Sequence, residues 1–280
     1  MLLNKPLFLK YATKNKLFTP LKSFSDSLLF YYIGTLALEN DGDLLEIGCG
    51  GSTYVLYELS EKFDRTITVC DVQDHFIDTH LPAFPSAKLN PIVDSSINLN
   101  DYKLGETIYS HVDGDKNYNI TKKDLEFCIN NMAEYGIICQ DDYGNNKWPS
   151  ITQAVLSLVT ENKLKIIIVG DSSIWLTKPE YYGYWMNLLS TDREFEILKT
   201  YIGMQESSIV LECSPNYYFI NTLNYAPAWS QQINQNYEYI KSLCTEDELK
   251  ILNEIHEYSD HPYYLRMPYP GQSIPGHWLS

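Results

Sequence analysis

Leu44-Leu45-Glu46-Ile47-Gly48-Cys49-Gly50-Gly51-Ser52-Thr53 decides how this chain is read. A short apolar run carries an acid, a glycine-dense turn follows, and Val55, Leu56, Leu59 and Phe63 then recur at helical spacing. The pattern predicts a strand, a tight turn and a helix. Glycines in such a turn tolerate positive φ and leave bare backbone for a ligand to lie against. The helix beyond them directs unpaired N–H groups at the same place.

Further strands are predicted outward from this turn. Thr66–Cys70 ends at Asp71, Asn90–Val93 at Asp94-Ser95-Ser96, and Thr107–Val112 at Asp113-Gly114-Asp115-Lys116. Gly136–Gln140 ends at Asp141-Asp142, and Lys165–Gly170 precedes Ser173–Thr177. Ser25 or Asp26 reads as the cap of a helix through about Glu39, with Leu28, Leu29, Tyr32, Ile33, Leu36 and Leu38 inward. Thr121 with Asp124 reads as a capping box, and Gly136 as the stop of that helix. Pro149 opens another, with Ile151, Ala154, Val155, Leu158 and Val159 on one face. Strands alternating with helices at this spacing predict an α/β fold with a mostly parallel sheet covered on both faces. The strand-ending acids then share one rim, where such sheets bind ligands.

Beyond Pro179 the pattern loosens. Tyr181–Leu189 reads as helix, Ser208–Glu212 as a strand with Tyr217–Ile220 as continuation or partner, and Thr245 with Glu248 as the cap of a later helix. The expected division is an N-terminal helical extension (1–40), a core (41–178) and a C-terminal extension packed on it (179–280).

The 36 acidic and 21 basic residues leave a net charge of −15. That argues against nucleic acid or an anionic membrane surface as a partner, since both reward a basic face. The six cysteines form no CxxC pair and read as core fillers in a reducing compartment. Residues 1–16 make a poor signal peptide, and no apolar run is long enough to span a bilayer. A cytoplasmic protein is expected.

Which ligand the turn serves depends on its neighbours. A dinucleotide fingerprint wants a third glycine where Thr53 stands. Glu46-x-Gly48-x-Gly50 instead resembles the first motif of class I S-adenosylmethionine-dependent methyltransferases. The resemblance implies a Rossmann-like sheet of seven strands, the last antiparallel, with helices on both faces. It implies S-adenosyl-L-methionine held by Glu46, Gly48, Cys49, Gly50, Ser52, Asp71, Asp94, Ser95 and Asp113. Asp71 matches the acid that takes the ribose hydroxyls, and Asp94-Ser95 falls where that family meets the adenine amine.

Asp113, Lys116, Asp141 and Asp142 carry a second resemblance, to metal-dependent O-methyltransferases of the catechol and caffeoyl-CoA type. Asp113 precedes Lys116 by three residues and Asp141 by twenty-eight, as in the catechol type. The resemblance implies that Asp113, Asp141 and Asp142 hold a divalent cation, and that Lys116, with Asp113, serves catalysis as the candidate base. The stretch from His111 to Leu125, with Gly136 to Tyr143, is also similar to a bacterial methyltransferase family acting on sugars and natural products. That family reads His where Lys116 stands.

The residues support a metal on their own terms. Three carboxylates on one rim repel unless a cation lies between them, and an oxygen-only set suits Mg²⁺, Mn²⁺ or Ca²⁺ rather than zinc. His111 reads as structural, Asp115 as a turn residue, and Trp148 and Asn145 as candidate walls of an acceptor pocket. The expected function is methyl transfer to a hydroxyl of a small acceptor: a natural product, a sugar or a phenol. Alternatives are nitrogen as acceptor, a metal-independent reaction, a non-catalytic cofactor-binding module, or a nicotinamide-linked oxidoreductase. A homo-oligomer is compatible with all of them.

Overall fold

The structure is a computed structural model; it describes residues 24–74, 88–145, 147–202, 204–207 and 217–220. Its elements in chain order begin with α1 (Phe24–Ala37), β1 (Asp43–Ile47), α2 (Gly51–Phe63), β2 (Ile67–Asp71) and β3 (Leu89–Val93). A 3₁₀ turn (Ser96–Asp101) leads to β4 (Thr107–Val112), α3 (Tyr118–Asn130), β5 (Met132–Asp141) and α4 (Pro149–Thr160). Then come β6 (Lys165–Val169), β7 (Ser173–Thr177), α5 (Pro179–Thr191), α6 (Arg193–Tyr201), β8 (Met204–Ser207) and β9 (Tyr217–Ile220).

The strands form one sheet in the order β3-β2-β1-β4-β5-β7-β6-β9-β8. β1 is parallel to β2 and β4, and β4 to β5, while β7 runs antiparallel to both β5 and β6. The expected seven strands are therefore present, with the seventh antiparallel, and β9 and β8 extend the sheet beyond β6. Chain order reverses between β1 and β4, so their carboxyl ends open the crevice where such sheets bind ligands.

Alternation along β1 separates two apolar layers. Leu44 faces α1, α2, α5 and α6, whereas Leu45 and Ile47 face α3 and α4. The inward set expected for α4 is the buried set observed. In α1, Leu28 to Ile33 are all buried, together with Leu36 and Ala37, so that helix is apolar on every side rather than on one face. Tyr109 of β4 ties it down: its hydroxyl donates to the Phe30 carbonyl at 3.1 Å and accepts from Trp175 Nε1 at 3.2 Å.

Three local expectations are corrected. Asp26 is no simple cap: it is wholly buried and accepts from the backbone N–H of Asp171 (2.9 Å) and Ser172 (2.8 Å). Helix α3 starts earlier than Thr121, capped by Asn117, whose side chain accepts from Asn119 N at 2.9 Å. Gly136 ends no helix. It lies inside β5, where the pairing with β4 slips, and a Cβ there would collide with Met132 and crowd the Ala133 and Thr107 carbonyls. The strand expected over Ser208–Glu212, the helix expected after Thr245, Cys213 and Cys244 lie outside the described residues.

Candidate active site

The glycine turn leaves β1 at Gly48, whose φ is +94°. A Cβ at this position would run into the main-chain carbonyl of Asp113, well inside 3.0 Å. Two backbone bonds hold the strand ends in place: Gly48 N–H donates to Cys70 O at 2.8 Å, and Asp113 N–H to Ile47 O at 2.8 Å. Only glycine meets both demands, the positive φ and the close approach.

Glu46 is completely buried. The Ser52 and Thr53 hydroxyls donate to its two carboxylate oxygens, and Thr53 Oγ1 also accepts from Gly50 N–H at 2.9 Å. Thr53, which breaks the dinucleotide pattern, thus ties the turn to the strand. His111 Nδ1 lies 3.4 Å from Glu46 Oε1; burial disfavours its charged form, but Glu46, Asp113 and Asp141 together outweigh that and raise the imidazole pKa.

Asp71 closes β2, and its Oδ2 accepts from Cys49 N–H at 2.8 Å while Oδ1 accepts from Gln73 N–H at 2.8 Å. Asp94 organises the 3₁₀ turn: its carboxylate accepts from Asn98 Nδ2 (2.8 Å), the Tyr102 hydroxyl (2.9 Å) and Ser95 N–H (2.6 Å). Those donors hold it below the usual carboxylate range, Asn98 contributing most. Val72, Val93 and Ile97 flank these two acids in sequence and stand exposed, an apolar rim that the strand pattern did not single out. A lone apolar residue directly after a strand-ending acid, as Val72 is, was the available signal. The Cys49 thiol is pushed up to about 12, first by burial, so it is an inert neighbour of the turn.

The second half of the site gathers on β4 and β5. Asp113, Asp141 and Asp142 each offer a carboxylate oxygen within 4.8 Å of the others. Asp141 and Asp142 are only 3% and 2% exposed. Asp142 adopts φ +61°, a left-handed conformation that Asp tolerates and that turns the chain sharply after β5. Burial, and then the charge of Asp141, raise the Asp113 carboxyl pKa, with Lys116 and His111 pulling the other way. Lys116 Nζ bridges the cluster, paired with Asp113 Oδ1 and lying 2.8 Å from Asp142 Oδ2.

Neighbours fix two further oxygens. The buried Ser173 hydroxyl donates to Asp141 Oδ1 at 2.9 Å, and Asn145 Nδ2 to Asp142 Oδ1 at 2.9 Å. Ser150 anchors the Lys116 carbonyl from α4. Asp115 Oδ1 accepts from Asn117 N–H at 2.7 Å, a turn role. Trp148, 41% exposed, immediately precedes α4, two residues before Ser150. The observed roles of Ser173 and Asp26 carried no signal in the sequence, because their partners lie far away along the chain.

The donor set fits a hard divalent cation: three carboxylates, two of them buried, no sulfur or imidazole, and geometry that brings them together. The glycine turn fits a ligand that approaches backbone closely, with Asp71 at its edge. These halves sit on one sheet whose first seven strands, in this order and with the seventh antiparallel, form a Rossmann-like sheet.

No protein-family model matches the chain, and no curated protein matches it. Solved structures that match include the O-methyltransferase NovP, at 16% identity and TM-score 0.44, over 53% of this chain and 78% of that one. An O-methyltransferase from Bacillus cereus bound to SAH matches at 14% identity and TM-score 0.45, over 63% and 92%. An rRNA methylase from Streptococcus thermophilus matches at 16% identity and TM-score 0.41, over 52% and 94%. Among the described residues no helix is long and apolar enough to cross a membrane.

Proposed function

We propose that this chain is an S-adenosylmethionine-dependent O-methyltransferase that uses a divalent cation, Mg²⁺ or alternatively Mn²⁺ or Ca²⁺, to hold the hydroxyl of a small acceptor. One observation carries the reading: three carboxylates, two of them buried, converge within 4.8 Å beside the glycine turn. Buried acids brought so close are costly unless a cation compensates them.

The division of labour follows from position. Gly48 to Gly50 and the start of α2 hold the donor, with Asp71 placed for the ribose hydroxyls and the exposed Val72 and Ile97 available to its base. Glu46, Ser52 and Thr53 keep the turn in shape from below. Asp113, Asp141 and Asp142 are the cation ligands, and Ser173 and Asn145 orient two of them. A divalent ion bound there supplies charge that favours the ionised form of a ligating hydroxyl. Lys116 is the candidate base: once its own proton has passed to solvent, the neutral amine can take the proton of the hydroxyl. Asp113 joins the two halves because its backbone touches the turn while its carboxylate faces the cluster. Holding donor and acceptor together supplies much of the rate. Asn145 and Trp148 border the open side, where an acceptor ring or sugar would lie.

The net charge of −15 supports a small acceptor over nucleic acid or membrane. The described cysteines, Cys49, Cys70, Cys128 and Cys139, are buried and in no disulfide, in keeping with a cytoplasmic setting. The test is transfer from labelled S-adenosylmethionine to a panel of vicinal diols, phenols and sugars with Mg²⁺ present. Transfer to a hydroxyl supports the proposal. Transfer only to nitrogen acceptors, or cofactor binding without turnover on any acceptor, contradicts it.

A further inference from the structure

We infer that Lys116 is the resident counter-cation of the acid cluster, and that a divalent ion binds by displacing its ammonium from Asp113 and Asp142. This rests on the cluster being the cation site proposed above. The ammonium occupies the position a metal would need: Nζ pairs with Asp113 Oδ1 and lies 2.8 Å from Asp142 Oδ2. Both oxygens belong to the group of three acids that converge within 4.8 Å.

Two physical facts make the occupants exclusive. Asp142 has its side chain 3% exposed, so its charge cannot be left to water and needs a partner in every state. An ammonium and a dication cannot share the same oxygens, because like charges a few ångströms apart in a half-buried site repel strongly. The cluster therefore holds one or the other. Lys116 can leave without disturbing the loop, since its side chain is 22% exposed while Ser150 anchors its carbonyl. Asn145 and Ser173 stay on Asp142 and Asp141 throughout, so the ligands keep their orientation during the exchange. A lysine here lowers the apparent metal affinity, keeps the metal-free protein intact, and is released beside the acceptor when metal arrives.

The test is Mn²⁺ titration of the full chain, reading free Mn²⁺ by electron paramagnetic resonance, for the unmodified protein, Lys116→Met, Lys116→Gln and Lys116→Arg. Melting temperatures are taken with and without Mn²⁺. Lys116→Met and Lys116→Gln are expected to bind at least about tenfold more tightly, and Lys116→Arg within about threefold of the unmodified protein. Without metal the two neutral variants melt lower, and saturating Mn²⁺ closes the gap; a variant that folds only with Mn²⁺ counts the same way. Binding by the neutral variants alone overturns the displacement, because the natural ammonium then keeps the metal out. Equal or weaker binding by the neutral variants overturns the displacement and leaves the metal site standing. No binding by any of the proteins overturns both.

Discussion

The first glycine of the turn, Gly48, packs directly on the carbonyl of Asp113, with no room for a Cβ between them. The glycine turn and the first acid of the carboxylate cluster are thus one mechanical unit. A side chain at Gly48 must either push β4 away or force the turn open, and the φ of +94° adds strain for any L residue. Gly48→Ala is expected to cost about 2–4 kcal/mol of stability and to weaken both S-adenosylmethionine and Mn²⁺ binding. Urea unfolding and calorimetry check this. A variant that loses cofactor affinity yet binds Mn²⁺ normally would show that the two halves are independent.

Ser173 reaches Asp141 from the neighbouring antiparallel strand, with both groups buried. Ser173→Ala leaves Asp141 Oδ1 short of a donor, a loss worth about 1–3 kcal/mol in stability. If the hydroxyl orients a ligand, Mn²⁺ affinity falls as well, and Ser173→Thr restores it. An alanine variant with unaltered Mn²⁺ affinity would confine Ser173 to a packing role.

Asp26 carries a pH signature. Burial first, and then the charge of Asp171, raise its carboxyl from 3.8 to about 7, against the pull of the backbone N–H groups of Ser172 and Asp171. A folded-state value above the unfolded one means the folded protein holds this proton more tightly. Its stabilising contribution is full below about pH 4 and is lost as pH rises through 7. The stability advantage of the natural protein over Asp26→Asn should therefore shrink by a few kcal/mol between pH 4 and pH 8. Parallel denaturation series across that range decide it; a constant difference would mean that Asp26 titrates as an ordinary carboxyl.

What could be read from the sequence was local or periodic. The β1 turn, the proline-led α4 with its buried face, and the limits of β4 and β7 all follow from patterns within a few residues. The meeting of Asp113 with Asp141 and Asp142 was also accessible, because a parallel sheet places successive strand ends on one rim. Other features needed the third dimension. Asp26 looks like a helix cap until the turn at Asp171 and Ser172 is brought against it. The engagement of Glu46 by the Ser52 and Thr53 hydroxyls likewise appears only once the turn is folded. Gly136 mimics a helix stop, although tight packing inside β5 is what requires it. The partners that decide these roles are set by topology, which no local window contains.

The measurement that bears most directly on the proposed reaction is methyl transfer by one enzyme preparation, assayed as isolated, after exhaustive chelation, and after Mg²⁺ is restored. Asp142→Asn is carried alongside. Transfer to a hydroxyl acceptor should fall at least about a hundredfold on chelation, return with Mg²⁺, and stay low in Asp142→Asn whatever is added. Full transfer in the presence of chelator would contradict the proposal and leave the Lys116 ammonium as the cation that the cluster uses.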